Sequence, residues 1–236
     1  MTRILLLETS ASTLSVALAE DGKVIVDRVC KEPRMQSSLT APLVKEVMDA
    51  AGMSLRDLDA VCVSKGPGSY TGLRVGVSTA KGICFGADVP LIAGDTLDIL
   101  VNEISPRASL GRNKSITPSF IVPMIDARRM EVYTAVYNAR KERITPVEAM
   151  VVGPDSFSEY LSEGQVLFTG DGAMKCREVI SSENALFVES VPLASAMAPL
   201  AMKAFTEGRF EDTAYFEPFY LKDFVATKPK DFLGRE

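Results

Sequence analysis

Four apolar residues in a row, Ile4, Leu5, Leu6 and Leu7, stop at Glu8 and a run of hydroxyls, Thr9-Ser10-Ala11-Ser12-Thr13. A short apolar run bounded by turn residues predicts a buried strand over residues 4–7. Leu14, Val16 and Leu18 then recur at every second position, which predicts the returning strand of a hairpin. Asp21-Gly22 signals a tight turn, and residues 23–29 read as a third strand. After Pro33 the period changes. Leu39, Leu43, Val47 and Ala50 fall on one helical face, predicting a helix over residues 36–51 that Gly52 stops. Residues 58–64 read as a strand, 70–85 as a helix, 89–93 as a strand and 96–103 as a helix. The strand-helix-strand unit in the middle implies a right-handed crossover and parallel pairing. The element order is β-β-β-α-β-α-β-α.

Residues 105–119 are polar and basic with no apolar period, the composition of a linker. They divide the chain into an N-terminal subdomain, 1–104, and a smaller C-terminal one, 105–236, whose last segment is expected to pack back on the first. Beyond them the opening pattern returns. Residues 120–125 are apolar and end at Asp126, Asp126-Ala127-Arg128-Arg129 is a turn, residues 132–137 read as a strand, and Arg143-Ile144 begins a third. Laid on the first hairpin without gaps, Glu8 meets Asp126, Leu14 meets Val132 and Leu18 meets Val136. A helix over 155–161, strand 166–169, helix 173–181, strand 185–188 and a helix near 193–207 follow. Two consecutive halves of this kind predict an α/β protein with the duplicated, ribonuclease H-like architecture of actin, Hsp70 and sugar kinases.

Composition narrows the chemistry. At 47% hydrophobic, the 236 residues can build a real core. A net charge of −5 argues against stand-alone binding to nucleic acid, which needs a basic footprint. The one basic stretch near the end, residues 222–230, is a candidate RNA contact or a solvated tail. Cys30, Cys62, Cys84 and Cys176 are scattered without a CxxC, as expected of buried thiols in a reducing compartment. The opening apolar run is too short for a signal peptide or a membrane span, so a cytoplasmic location is expected. There is no histidine. That removes serine– and cysteine–histidine nucleophile systems and the HExxH metal site. No motif calls for a metal or a cofactor.

Two stretches remain as candidates. The hydroxyl-rich first turn, Glu8, Thr9, Ser10 and Ser12, resembles a phosphate-binding turn that has lost its glycine and carries Glu for Asp, hence a vestigial one. The stretch Lys65-Gly66-Pro67-Gly68-Ser69-Tyr70-Thr71-Gly72-Leu73-Arg74-Val75-Gly76 lacks the Lys-Ser/Thr of a P-loop. It reads as a strand-to-helix turn capped by Ser69 or Thr71. Its glycines run on into the helix, where each costs about 1 kcal/mol relative to Ala. Gly72, Gly76 and Ala80 stack on one face, with Leu73, Val77 and Cys84 beside them. Such a face lets a second helix come close, either from the same chain or from another subunit.

GPGSYTGLRVG, the opening ILLLETSASTLSVALAEDG, the second hairpin MIDARRMEVYTAVY and the end EPFYLKDFVATKPK resemble the signatures of the TsaB (YeaZ) family. The resemblance spans most of the chain and is loosest over residues 151–207. It implies an actin/Hsp70-type fold and a non-catalytic dimerisation subunit. Its implied partners are the paralogue TsaD, which transfers threonylcarbamoyl to adenosine in tRNAs reading codons that start with A, and TsaE. A homodimer is implied when the chain is alone. The resemblance also puts the partner surface on the first subdomain, including the helix from Tyr70 on; with the small-residue face, this makes Tyr70, Gly72, Leu73, Gly76, Val77, Ala80 and Cys84 the expected partner interface. Glu8 and Gln36 depart from the family's usual Asp and His, which weakens any nucleotide role. The competing reading is a small-molecule kinase or ATPase using Glu8 or Asp126. An endopeptidase is disfavoured by the lack of histidine.

Overall fold

The computed structural model describes residues 1–104, 108–109 and 115–222. β1 (Arg3–Glu8), β2 (Leu14–Glu20) and β3 (Lys23–Cys30) form an antiparallel meander. α1 (Gln36–Ala51), β4 (Ala60–Gly66), α2 (Tyr70–Ala87), β5 (Leu91–Asp95) and α3 (Thr96–Glu103) follow. β4 pairs parallel with both β1 and β5, so the expected crossover forms, and the sheet order is β3-β2-β1-β4-β5. A pair of two-residue strands, β6 (Ala108–Ser109) and β7 (Ser115–Ile116), interrupts the stretch expected to be a plain linker.

The second lobe repeats the plan. β8 (Phe120–Asp126), β9 (Glu131–Thr134), β10 (Tyr137–Asn138), β11 (Glu148–Val151), α4 (Ser158–Glu163), β12 (Val166–Thr169), α5 (Ala173–Cys176) and β13 (Ala185–Val188) give a sheet ordered β11-β9-β8-β12-β13. The two orders match term by term, with β1 and β8 central and each ending in the carboxylate paired from the sequence, Glu8 and Asp126. This is the duplicated α/β architecture.

Strand β1 is buried on both faces, which is why it is apolar at every position from Ile4 to Leu7 instead of alternating. Leu5 and Leu7 pack with Val47 of α1 and Val77 of α2. Ile4 and Leu6 pack on the other side against α6 (Ala194–Thr206), whose Ala194, Ala198 and Ala201 let it lie close to the sheet. The last helix therefore returns to the first lobe. The chain after it does too, since Glu211 bridges Leu91 and Phe219 N–H donates to the Lys65 carbonyl at 2.7 Å. Between the lobes lies α3, with Leu97, Leu100 and Val101 buried against Ile121, Ile125 and Tyr137.

Some local expectations give way, and one is not reached. The third strand of the second hairpin starts at Glu148; Arg143 makes only an isolated bridge to Tyr137, because Pro146 has no N–H to continue a ladder. The helix expected over 173–181 ends at Cys176, where Val179 and Ile180 fold back to hydrogen-bond the Cys176 carbonyl. The basic stretch 222–230 lies, Lys222 apart, outside the described residues.

Candidate functional site

The two sequence motifs meet. Where β1 ends, the first turn passes under the start of α2, and the two are joined by hydrogen bonds. Ser69 N–H donates to the Ser10 carbonyl at 2.6 Å. Thr9 Oγ1 donates to the Gly72 carbonyl at 2.8 Å. Ser69 also caps α2, its hydroxyl accepting from Gly72 N–H at 3.3 Å. The glycines exist for this contact. A Cβ on Gly68 would stand 2.4 Å from the Ser10 carbonyl oxygen, one on Gly72 2.1 Å from that of Thr9, and one on Gly76 2.2 Å from Thr9 Oγ1.

The first turn is thus what meets the glycines of the small-residue face. Gly72, Leu73, Gly76, Val77, Ala80 and Cys84 are all buried in the chain's own first lobe. What comes close to Gly72 and Gly76 is the first turn, while α1 packs along Val77, Ala80 and Cys84 farther down the helix. Of the seven residues assigned to a partner, only Tyr70 keeps surface, at the start of the helix.

The turn itself is closed. Glu8, Thr9 and Ser10 are completely buried. Glu8 Oε1 accepts from Ser10 N–H at 2.7 Å and from Ser10 Oγ at 2.5 Å, while Oε2 has no partner among the described residues. Burial raises the Glu8 pKa above the ordinary glutamate value, and the Ser10 donors pull the other way. Burial, with Glu8 nearby, also pushes the Cys62 thiol up. The hydrogen-bonding groups a phosphate would need are thus spent inside the fold. Only Ser12 of the four turn residues is exposed.

Between the lobes runs a cleft of about 820 Å³, lined among others by Ser12, Arg34, Tyr70, Arg128 and Lys222. Its second-lobe wall is the turn after β8. Asp126 there is held by Lys175 and accepts from Arg128 N–H at 3.0 Å, and Asp171 accepts from Asp126 N–H at 2.9 Å. Burial raises the Asp171 pKa. Among the described residues no three Cys, Asp or Glu side chains gather as a metal site. No helix among them is long and apolar enough to cross a membrane.

The outer face of α2 presents a different problem. Among the described residues, a Cβ on Gly82 or Gly86 would meet nothing within 4 Å, so no packing there calls for either glycine. Phe85 between them is 89% exposed. The flank of this face is finished by the C-terminal segment. Lys81 Nζ donates to the Ala214 and Phe216 carbonyls at 3.0 and 3.1 Å. Arg74 lies 4.0 Å over the Tyr70 ring and donates to Tyr220 at 3.2 Å. Sequence reasoning missed Phe85, though it is an aromatic out of phase with the Leu73–Val77–Ala80–Cys84 stripe. Nothing local announced the partnership of Arg74 with Tyr220.

The profile of a family described as "TsaD: tRNA N6-adenosine threonylcarbamoyltransferase" matches residues 33–229. A relative from Escherichia coli, called tRNA threonylcarbamoyladenosine biosynthesis protein TsaB, is 31% identical over 235 residues, 96% of this chain and 97% of its own. Its Bacillus subtilis namesake is 32% identical over 182 residues, 75% of this chain and 74% of its own. The solved structure of YeaZ from Pseudomonas aeruginosa superposes with a TM-score of 0.77 at 26% identity, covering 94% of this chain and all of that one. With a duplicated fold, a first turn sealed by its own helix and these relatives, the chain belongs to the TsaB (YeaZ) family.

Proposed function

We propose that the chain takes part in forming threonylcarbamoyladenosine in tRNA as a non-catalytic subunit that binds and supports its paralogue TsaD, with TsaE joining the assembly. Alone, it pairs with a second copy. The observation that carries this reading is the division among the α2 glycines. Gly72 and Gly76 close the first turn, where a kinase of this fold would hold phosphate, and Gly82 and Gly86 leave a low track beside exposed Phe85 that none of the described residues fills. The first pair supports the absence of nucleotide chemistry. The second supports a helix-on-helix contact with another chain, in which a glycine track lets two helices approach toward the short end of the ~8–10 Å range. The partner surface in this reading is the outer face of α2, turned away from the residues first assigned.

Depletion of the protein followed by mass spectrometry of tRNA nucleosides tests the pathway. Threonylcarbamoyladenosine is expected to fall, and an unchanged level overturns the reading. Co-elution with TsaD tests the surface: Gly82→Leu is expected to abolish it while the fold, read by circular dichroism, is kept.

A further inference from the structure

Among the described residues α3 is the one helix buried between the lobes, and the second lobe holds it at both ends. At its N-terminus Asp95 caps the helix, accepting from Leu97 N–H at 3.2 Å, and Arg143 donates to the other carboxylate oxygen at 3.0 Å. One turn on, Tyr137 OH donates to Asp98 at 2.5 Å. At the C-terminus Lys141 Nζ donates to the Ile104 carbonyl at 2.7 Å and reaches that of Asn102 at 3.5 Å. Each charge suits the end it touches, since a cation is stabilised at a helix C-terminus and an anion at its N-terminus. Lys141 and Arg143 belong to one loop, stiffened by the Asn138 side chain, which accepts from Arg140 and Glu142 N–H at 2.9 and 3.0 Å. Lys141 itself sits at φ 64°, a conformation that aims it back at α3. On the far side of the cleft a second tie runs from the first lobe to β9, through Tyr220 on Arg74 and Lys222 on Glu131.

We propose that the loop of residues 138–144 is a two-ended clamp on α3 that fixes the angle between the lobes, so that the cleft keeps one width. The sliding of two lobes needs a packed element with two resting places. Here both ends of the pivot helix are held by the same rigid loop, and a shift that suits one grip breaks the other. Asp95 is the sensitive member. Burial and the facing Asp98 raise its pKa, while Arg143 and, at longer range, Lys65 oppose them. The clamp goes beyond the proposed function and stands whether or not a partner binds the outer face of α2.

Pulsed electron–electron distance measurement tests it. Spin labels go on Ser37→Cys of α1 and Met174→Cys of α5, one per lobe, in a Cys30→Ser background; the other cysteines are buried. Wild-type loop residues are expected to give one narrow distance, unchanged by ligands offered to the cleft. Lys141→Ala with Arg143→Ala is expected to at least double its width or add a second distance. A broad or two-peaked distribution with the loop intact overturns the proposal. So does a double variant that is as narrow as its parent with an unchanged circular dichroism spectrum. Should the double variant not fold, Lys141→Met, which removes one grip and keeps the aliphatic stem, is scored by the same rule.

Discussion

Gly76 and Gly82 stand in the same helix and differ in what faces them, so replacing each with Ala separates packing from helix propensity. Inside a helix the exchange stabilises by about 1 kcal/mol through propensity alone. At Gly82 that is the whole effect, because the new methyl meets none of the described residues within 4 Å. At Gly76 the methyl arrives 2.2 Å from Thr9 Oγ1 and 3.2 Å from Thr9 Cβ and Cγ2. Thr9 must move, and its hydrogen bond to the Gly72 carbonyl goes with it. Overpacking of this kind costs roughly 1–3 kcal/mol, and the lost hydrogen bond about 1 kcal/mol more. After the propensity gain, Gly76→Ala is expected to lose about 1–3 kcal/mol while Gly82→Ala gains up to about 1 kcal/mol. Urea titration of the isolated chain followed by circular dichroism reads both as midpoint shifts of opposite sign. Equal shifts in the same direction would refute the argument that the first turn fills the Gly76 face.

Glu8 gives a pH signature. Its folded pKa lies above the unfolded value near 4.5, so the folded state holds a proton that the unfolded state has released. Stability from this group is present below pH 4.5 and lost as pH rises through the folded value, at up to about 1.4 kcal/mol per unit. Glu8→Gln should therefore flatten the decline, with its urea midpoint gaining on the wild type as pH rises above 4.5; a midpoint that falls further behind the wild type with rising pH contradicts a raised Glu8 pKa. Titration calorimetry with magnesium-ATP is expected to show no heat of binding for the isolated chain, and micromolar binding would revive the kinase alternative. Phe85→Asp should weaken co-elution with TsaD at least tenfold and leave the urea midpoint of the isolated chain within about 0.5 kcal/mol, the usual range for an exposed position.

Most of the fold was legible because burial writes itself into periodicity. The unbroken apolar run at Ile4–Leu7 marked a strand covered on both sides, and the alternation after Leu14 marked its hairpin partner. The gapless pairing of Glu8 with Asp126 anticipated two sheets of the same order. The end of the third-strand prediction at Arg143 shows the limit: the residue types suit a strand, and Pro146 breaks the ladder. The site was legible in composition but not in direction. Three glycines and a hydroxyl-rich turn were both visible, but a small-residue face says only that something comes close. Which element comes close depends on how β1 runs under α2, a contact between residues more than sixty positions apart. For the same reason Phe85 stayed hidden until burial distinguished the two sides of the helix.

The placement of α6 sets a schedule for synthesis. Ile4 and Leu6 leave the ribosome first, and the helix that covers their face includes Ala194, whose N–H also bonds to Ser15 Oγ across 179 positions at 2.9 Å. At the usual ~5–20 residues per second, on the order of ten to forty seconds separate the strand from its cover. During that interval one side of the central sheet is bare and sticky, and a nascent-chain chaperone has a defined patch to shield. A chain ending before residue 194 leaves Ile4 and Leu6 without the helix that covers them.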